Sequence, residues 1–291
     1  MNTGRLVILA GGVSSRMKKP FKMDLNIDEY LLEQSEIKTK SMLSVGKNER
    51  PFLDYLLYNA REAGYREIVI VISEKDNSIR NYYGEKANDN EFEGLNISYA
   101  IQKIPDNRTK PLGTADALHQ ALSVKKEWMG GRFTVCNSDN LYSQKAFKIM
   151  LNDEHPNSMI DYNRNALEFE TSKIMKFGVT VKDGEGYLID IIEKPTDKDL
   201  EKAKDSNGII GVSMNIFSLH YDFILPFLEK TPLNPVRKEK ELPVAISMMV
   251  KEKLKSLFCY PLSEHVIDLT SKEDIPEVKK YLDKNYGNMI F

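Results

Sequence analysis

The stretch Leu6–Pro20, LVILAGGVSSRMKKP, constrains the fold more than any other part of the chain. Five apolar residues in a row, without the polar alternation of a half-buried strand, must be covered on both faces. Further runs of this kind follow at 67–73 (EIVIVIS) and 132–136 (RFTVC), with a related run at 96–101 (NISYAI). Helix-like segments separate them. Pro51 can open one at its first position, Phe52, Tyr55, Leu56, Asn59 and Ala60 recur at helical spacing, and Gly64 is suited to close it. Another begins at GTADALHQAL, where Thr114 can cap. This βαβα order predicts an α/β fold: a doubly wound, mostly parallel, Rossmann-like sheet with right-handed crossovers. Ligands of such sheets lie outside the carboxyl ends of the strands.

The second half reads differently. Residues 176–195 form two strand-like runs around the turn signal DGEG, and a further strand is expected in 208–219. Helical periodicity returns at LPVAISMMVKEKL and at 272–282. The chain thus reads as one domain over 1–291: a first half over 1–150, and a half over 151–291 with an inserted β-rich region and C-terminal helices. Segments 18–40 and 152–172 are the least regular and are expected to be loops, the first with a short helix.

Composition narrows the class. A 41% hydrophobic share supports a large core, and a net charge of −2 argues against bulk attraction to nucleic acid or membrane. Two cysteines, Cys136 and Cys259, make no disulfide framework, which suggests a cytoplasmic protein. No run approaches the ~20 apolar residues of a spanning helix. No signal peptide is read at the N-terminus, and no hexapeptide repeat announces a β-helix arm.

A glycine pair behind a buried strand lets backbone N–H groups face an anion or a base edge, and a helix starting there would add positive potential. Ser14 and Ser15 can donate, and Arg16 offers a fork matched to phosphate; a tight turn carrying a surface Arg is the alternative. The third glycine of a dinucleotide fingerprint is missing, and so is the Gly-Lys-Ser/Thr of a Walker A loop. The four histidines show no metal-ligand spacing.

Taken in order, LAGGVSSRM, KTKSMLSV, GTADAL, NSDN and IIEKP resemble the sugar nucleotidyltransferase family, the nucleoside-diphosphate-sugar pyrophosphorylases. The resemblance spans residues 5–219 and implies that the half over 1–150 is nucleotide-binding and that the β-rich region of the half over 151–291 is sugar-binding. It implies transfer of a nucleoside monophosphate from an NTP to a sugar 1-phosphate, with release of pyrophosphate and use of Mg²⁺. The implied partners are these small molecules, with no nucleic acid and no membrane; a homo-oligomer is left open.

The resemblance also assigns residues. Arg16 would hold the triphosphate and leaving pyrophosphate. Lys40 would reach the α-phosphate, although Thr39 replaces the family's proline, the spacer from Arg16 is long, and Lys38 competes for the role. Ala10, Gly11 and Gly12, with Ser14 and Ser15, would cradle the nucleotide. Gln102, whose amide carries both donor and acceptor, would read a uracil or thymine edge, with Gly113 and Thr114 forming the turn against the base. Asp116 is expected to serve the helix N-terminus. Gly178, Glu193 and Asn215 would face the sugar, and Lys194 its phosphate. Asp139 would ligate the metal, with Asn140 orienting rather than ligating.

One departure stands out. The family's second metal aspartate is expected near Pro243 or Val244, neither of which can ligate. Glu241 is the nearest substitute, while Asp268 reads as a surface turn. UTP or dTTP is the favoured substrate. A CTP- or GTP-dependent transferase of the same fold, or a non-catalytic sugar-nucleotide-binding protein, stays open.

Overall fold

The computed structural model describes residues 4–20, 27–85 and 91–287. In chain order the strands are β1 (Gly4–Leu9), β2 (Tyr65–Ser73), β3 (Glu91–Phe92), β4 (Leu95–Gln102), β5 (Arg132–Asn137), β6 (Asn140–Leu141), β7 (Ser158–Asn163), β8 (Val179–Lys182), β9 (Leu188–Ile192), β10 (Gly211–His220), β11 (Phe258–Leu262) and β12 (Ile267–Asp268). The helices are α1 (Glu29–Ile37), α2 (Phe52–Ala63), α3 (Ser78–Tyr83), α4 (Thr114–Val124), α5 (Gln144–Asn152), α6 (Thr171–Ile174), α7 (Asp197–Ala203), α8 (Tyr221–Lys230), α9 (Leu242–Glu252) and α10 (Ile275–Tyr286).

The main sheet runs β11-β7-β10-β5-β1-β2-β4-β3, with the β8–β9 hairpin attached to β10. Strand β1 sits at its centre, parallel to both β2 and β5. Its residues divide between two cores, as continuous apolar runs require. Leu6 and Ile8 join α2 and α5 side chains such as Phe52 and Phe147 on one face. Val7 and Leu9 join Leu118, Ile224 and Ile246 of α4, α8 and α9 on the other. The expected doubly wound α/β sheet is observed. Helix α2 ends at Gly64 in the left-handed region (φ 113°), as its sequence predicts, but Pro51 is the N-cap rather than the first helical residue.

The second part of the sheet corrects two expectations. Residues 152–172 are not a loop: β7 lies inside that segment, antiparallel to β10 and parallel to β11. The parallel order also reverses there, because β10 is antiparallel to both β5 and β7. The 176–195 hairpin forms as expected, with Val179 opposite Ile192. Segment 18–40 contains the short helix α1, and its residues 21–26 lie outside the described ones. No helix begins directly after β1; residues Ser15–Lys18 make a turn instead. None of the described helices is long and apolar enough to cross a membrane.

Candidate active site

The carboxyl ends of β1, β4 and β5 converge on a cavity of about 280 Å³. The loop after β1 supplies Ala10, Gly11, Gly12, Ser14, Ser15 and Arg16 to its wall. The two glycines differ in kind. A Cβ on Gly11 would stand 2.7 Å from Gln102 Oε1, whereas one on Gly12 would meet nothing within 4 Å. Gly11 is therefore demanded by the protein, and Gly12 leaves room beside the backbone. Ser14 adopts φ 51°, a strained value for a side-chain-bearing residue. Its hydroxyl accepts from the Lys40 N–H at 3.2 Å and so ties the loop to the chain beyond α1. Potential here comes from loop N–H groups and Arg16 rather than from a helix terminus.

Gln102, Gly113 and Thr114 line the same cavity. Gln102, the last residue of β4, is 2% exposed. Its amide nitrogen donates to the Gly113 carbonyl and to Asp116 Oδ2, both at 2.8 Å. Asp116 therefore does more than face the end of its helix. Gly113 takes φ 109°, and a Cβ there would come 2.6 Å from the Lys240 carbonyl. Thr114 does not cap α4, whose N-cap is Gly113. Its hydroxyl instead accepts from the Leu242 N–H at 2.9 Å, at the start of α9.

Charge gathers at the end of β5. Lys40 Nζ forms an ion pair with Asp139 Oδ2, whereas Lys38 closes α1. Asp268 lies beside this pair because β12 pairs antiparallel with β6, setting Asp268 opposite Asn140. Asp268 is 8% exposed, so it is not in a surface turn. Its oxygens accept from Thr270 Oγ1 at 2.8 Å and Asn140 Nδ2 at 3.3 Å, and it pairs with Lys173 at 2.8 Å. Burial pushes the Asp139 carboxyl up, but the Lys40 ammonium, with Arg16 beyond it, holds it below the usual carboxylate range. Burial and the neighbouring Asp139 charge raise Asp268.

Glu241 is placed differently from its expected role. Its two oxygens accept from Arg237 at 2.7 Å and Asn234 at 3.0 Å. The carboxylate adjoining Asp139 is Asp268, whose chain position the sequence reading misassigned. No group of three or more His, Cys, Asp or Glu side chains suited to a metal occurs among the described residues. The Asp139–Asp268 pair nevertheless fits Mg²⁺, which commonly takes one or two carboxylates and completes its shell with phosphate oxygens and water.

Of the expected sugar residues, Gly178, Glu193 and Lys194 lie near one another. Glu193 Oε1 would stand 3.1 Å from a Cβ at Gly178, so the missing side chain leaves the carboxylate room. Burial raises the Glu193 carboxyl; Arg237 and Lys194 oppose this and Glu241 reinforces it. Lys194 and Asn215 both adopt positive φ, 50° and 58°. Asn215 Oδ1 is buried without a hydrogen-bond partner among the described residues, a cost usually tolerated where a ligand can supply the donor. The 231–241 segment links the two regions: Glu239 lines the cavity, while the charge of Arg237, which is paired with Glu241, acts on Glu193.

Sequence reasoning missed Asp268, Thr270 and Arg237. An acid inside the apolar run HVIDLT was the available signal for the first, since a buried carboxylate needs a reason.

Known proteins resemble this chain in sequence and in fold. Glucose-1-phosphate adenylyltransferase of Bradyrhizobium diazoefficiens is 25% identical over 223 residues, covering 74% of this chain and 48% of that protein. D-glycero-alpha-D-manno-heptose 1-phosphate guanylyltransferase of Campylobacter jejuni is 27% identical over 147 residues, 50% of this chain and 52% of its own. The chain spans about half the length of the curated relatives it matches. The UTP-bound UGPase of Acinetobacter baumannii shares the fold, with a TM-score of 0.70 at 19% identity over 98% of this chain and 95% of that one. The family model described as Nucleotidyl transferase matches residues 31–257, and this chain belongs to that family.

Proposed function

We propose that this chain transfers a nucleoside monophosphate from an NTP to a sugar 1-phosphate, giving an NDP-sugar and pyrophosphate. The observation that carries the reading is the arrangement of Arg16, Lys40, Asp139 and Gln102 around one cavity, with Asp268 behind Asp139. The reaction joins two anions. A phosphate oxygen of the sugar attacks the α-phosphorus, a new P–O bond forms, and the bond to the β-phosphate oxygen breaks in line. The attacking oxygen is already ionised, so no general base is needed, and the protein's work is positioning and charge neutralisation.

Arg16 and the loop N–H groups suit the β- and γ-phosphates that leave together. Lys40 suits the α-phosphate. Lys194 faces the sugar phosphate, and Glu193 accepts from two sugar hydroxyls. Asp139 and Asp268 would hold Mg²⁺, which when bound neutralises charge developing on the phosphates. A buried carboxylate beside Asp139 removes the reason for reading the chain as a non-catalytic binding protein, which rested on a missing second acid.

UTP or dTTP is the favoured donor, because Gln102 Oε1 suits the imide N–H of a pyrimidine. A second reading, ATP, is favoured by the adenylyltransferase relative matching three-quarters of this chain, since an adenine amine also donates. Two buried, unpaired cysteines suit a cytoplasmic setting. A panel of NTPs against sugar 1-phosphates, read by pyrophosphate release, tests the proposal. Release from one pair supports it; release from none, with the protein folded and magnesium present, overturns it.

A further inference from the structure

We propose that Asp116 is a positioning residue for base choice: it fixes which side of the Gln102 amide faces the base. This rests on the reading above that Gln102 meets the base. An amide can present either its oxygen or its nitrogen, and its neighbours decide which. Here both protons of the Gln102 nitrogen are committed, one to the Gly113 carbonyl and one to the Asp116 carboxylate, each at 2.8 Å. The oxygen points the other way, towards Gly11, where a Cβ would lie only 2.7 Å from it. Turning the amide over would set its oxygen against a carbonyl and a carboxylate at once. Two hydrogen bonds would be lost, one of them charge-assisted, and two repulsions gained.

Gln102 therefore offers an acceptor and no donor. The base must present an N–H at that point: the ring imide of uracil or thymine, the ring N–H of guanine, or an exocyclic amine of adenine or cytosine. Between matched bases held in one pose, where the amide oxygen meets the same position of the base, the lock discriminates. Uracil carries N–H where cytosine has a lone pair at the same ring atom, and adenine carries an amine where hypoxanthine has a carbonyl. Asp116, on the first turn of α4, thus acts on the base through another side chain.

The test measures KM and kcat for the preferred NTP and its matched counterpart (UTP with CTP, or ATP with ITP) by pyrophosphate release. The proteins compared are the unaltered chain, Asp116→Leu, Asp116→Asn and Gln102→Ala. Leucine is close to aspartate in size but accepts no hydrogen bond. Asp116→Leu is expected to raise KM for the preferred NTP about tenfold and to cut the discrimination within the pair about tenfold or more. The KM for sugar 1-phosphate should change much less. Asparagine keeps an acceptor, so Asp116→Asn is expected to retain most of the discrimination. Unchanged discrimination in Asp116→Leu overturns the lock. So does an equal rise of both substrates' KM with a lowered melting temperature, which marks a merely structural role. If Gln102→Ala abolishes discrimination and Asp116→Leu does not, the base reading stands without the lock. If Gln102→Ala changes nothing, the base reading itself fails, and the lock with it.

Discussion

Asp139 and Asp268 are joined through one hydroxyl: Thr270 Oγ1 lies 2.8 Å from Asp268 Oδ1 and 3.4 Å from Asp139 Oδ2. Two buried acids so close repel each other unless cations intervene. Lys40 answers the first and Lys173 the second, and Lys173 is shared with Asp274 at 2.8 Å. Burying like charges together is a costly arrangement for stability alone, and that cost is a ground for the role proposed for the pair above.

Asp139→Asn is expected to lower turnover at least ~100-fold, because metal-assisted charge neutralisation supplies several kcal/mol of the barrier reduction. Asp268→Asn should fall by at least ~10-fold. Pyrophosphate release at saturating substrate checks both. Full turnover in either variant would remove that carboxylate from the site.

The two glycines of the first loop should respond differently to alanine. In Gly11→Ala the new methyl collides with an amide oxygen that two hydrogen bonds hold in place. The KM for NTP should rise about tenfold, with melting temperature slightly lowered. Gly12→Ala meets no protein atom, so its melting temperature should not change. A raised KM for NTP in that variant would come from the ligand alone, and thermal melts beside steady-state kinetics separate the two cases.

Glu193 predicts an acid-side limit on sugar binding. Burial raises its carboxyl above the usual range. Only the ionised form accepts from two hydroxyls, so KM for sugar 1-phosphate should climb as pH falls through that raised value. The same group favours the folded state at low pH, and that contribution is lost as pH rises through the raised value. Glu193→Gln should flatten the pH profile of KM for the sugar while leaving that for NTP alone. An unchanged profile would assign the titration to another group.

Thr114→Val keeps shape and removes the acceptor for the Leu242 N–H. The loss of one helix-start hydrogen bond should cost about 1 kcal/mol, a melting shift of about 2 °C for a chain of this size. Calorimetry measures it, and a shift indistinguishable from zero would mean water replaces the hydroxyl.

The sequence showed the first sheet half plainly because the middle residues of β1, β2 and β5 are buried on both faces and almost all apolar, with polar residues mainly at the strand ends. Strand β7 was hidden by its own Asp161, an acid that belongs indoors only because Lys182 and Thr180 meet it there. Both partners come from β8, which no local pattern reveals. Asp268 was hidden for a related reason. Its strand is two residues long and exists only because β6, 128 residues earlier at Asn140, receives it. The Arg16-to-Lys40 spacing was misleading in the opposite direction. Helix α1 fills the interval, and the hydrogen bond from Lys40 N to Ser14 closes it again. Glu241 was misjudged because a helix N-cap residue near an expected aspartate looks eligible until Arg237 and Asn234 are seen to occupy it.

The turn at Gly113–Thr114 is riveted to the segment before α9. Lys240 N donates to Leu112 O at 2.5 Å, Ala115 N to Lys240 O at 2.9 Å, and Leu242 N to the Thr114 hydroxyl at 2.9 Å. That segment also carries Arg237, whose charge acts on Glu193. Anyone retooling this protein for another nucleotide would find that GTADAL is not a detachable cassette. Grafting it without residues 240–242 would unpick the seam, and a change of sugar made through that segment would be felt by the base.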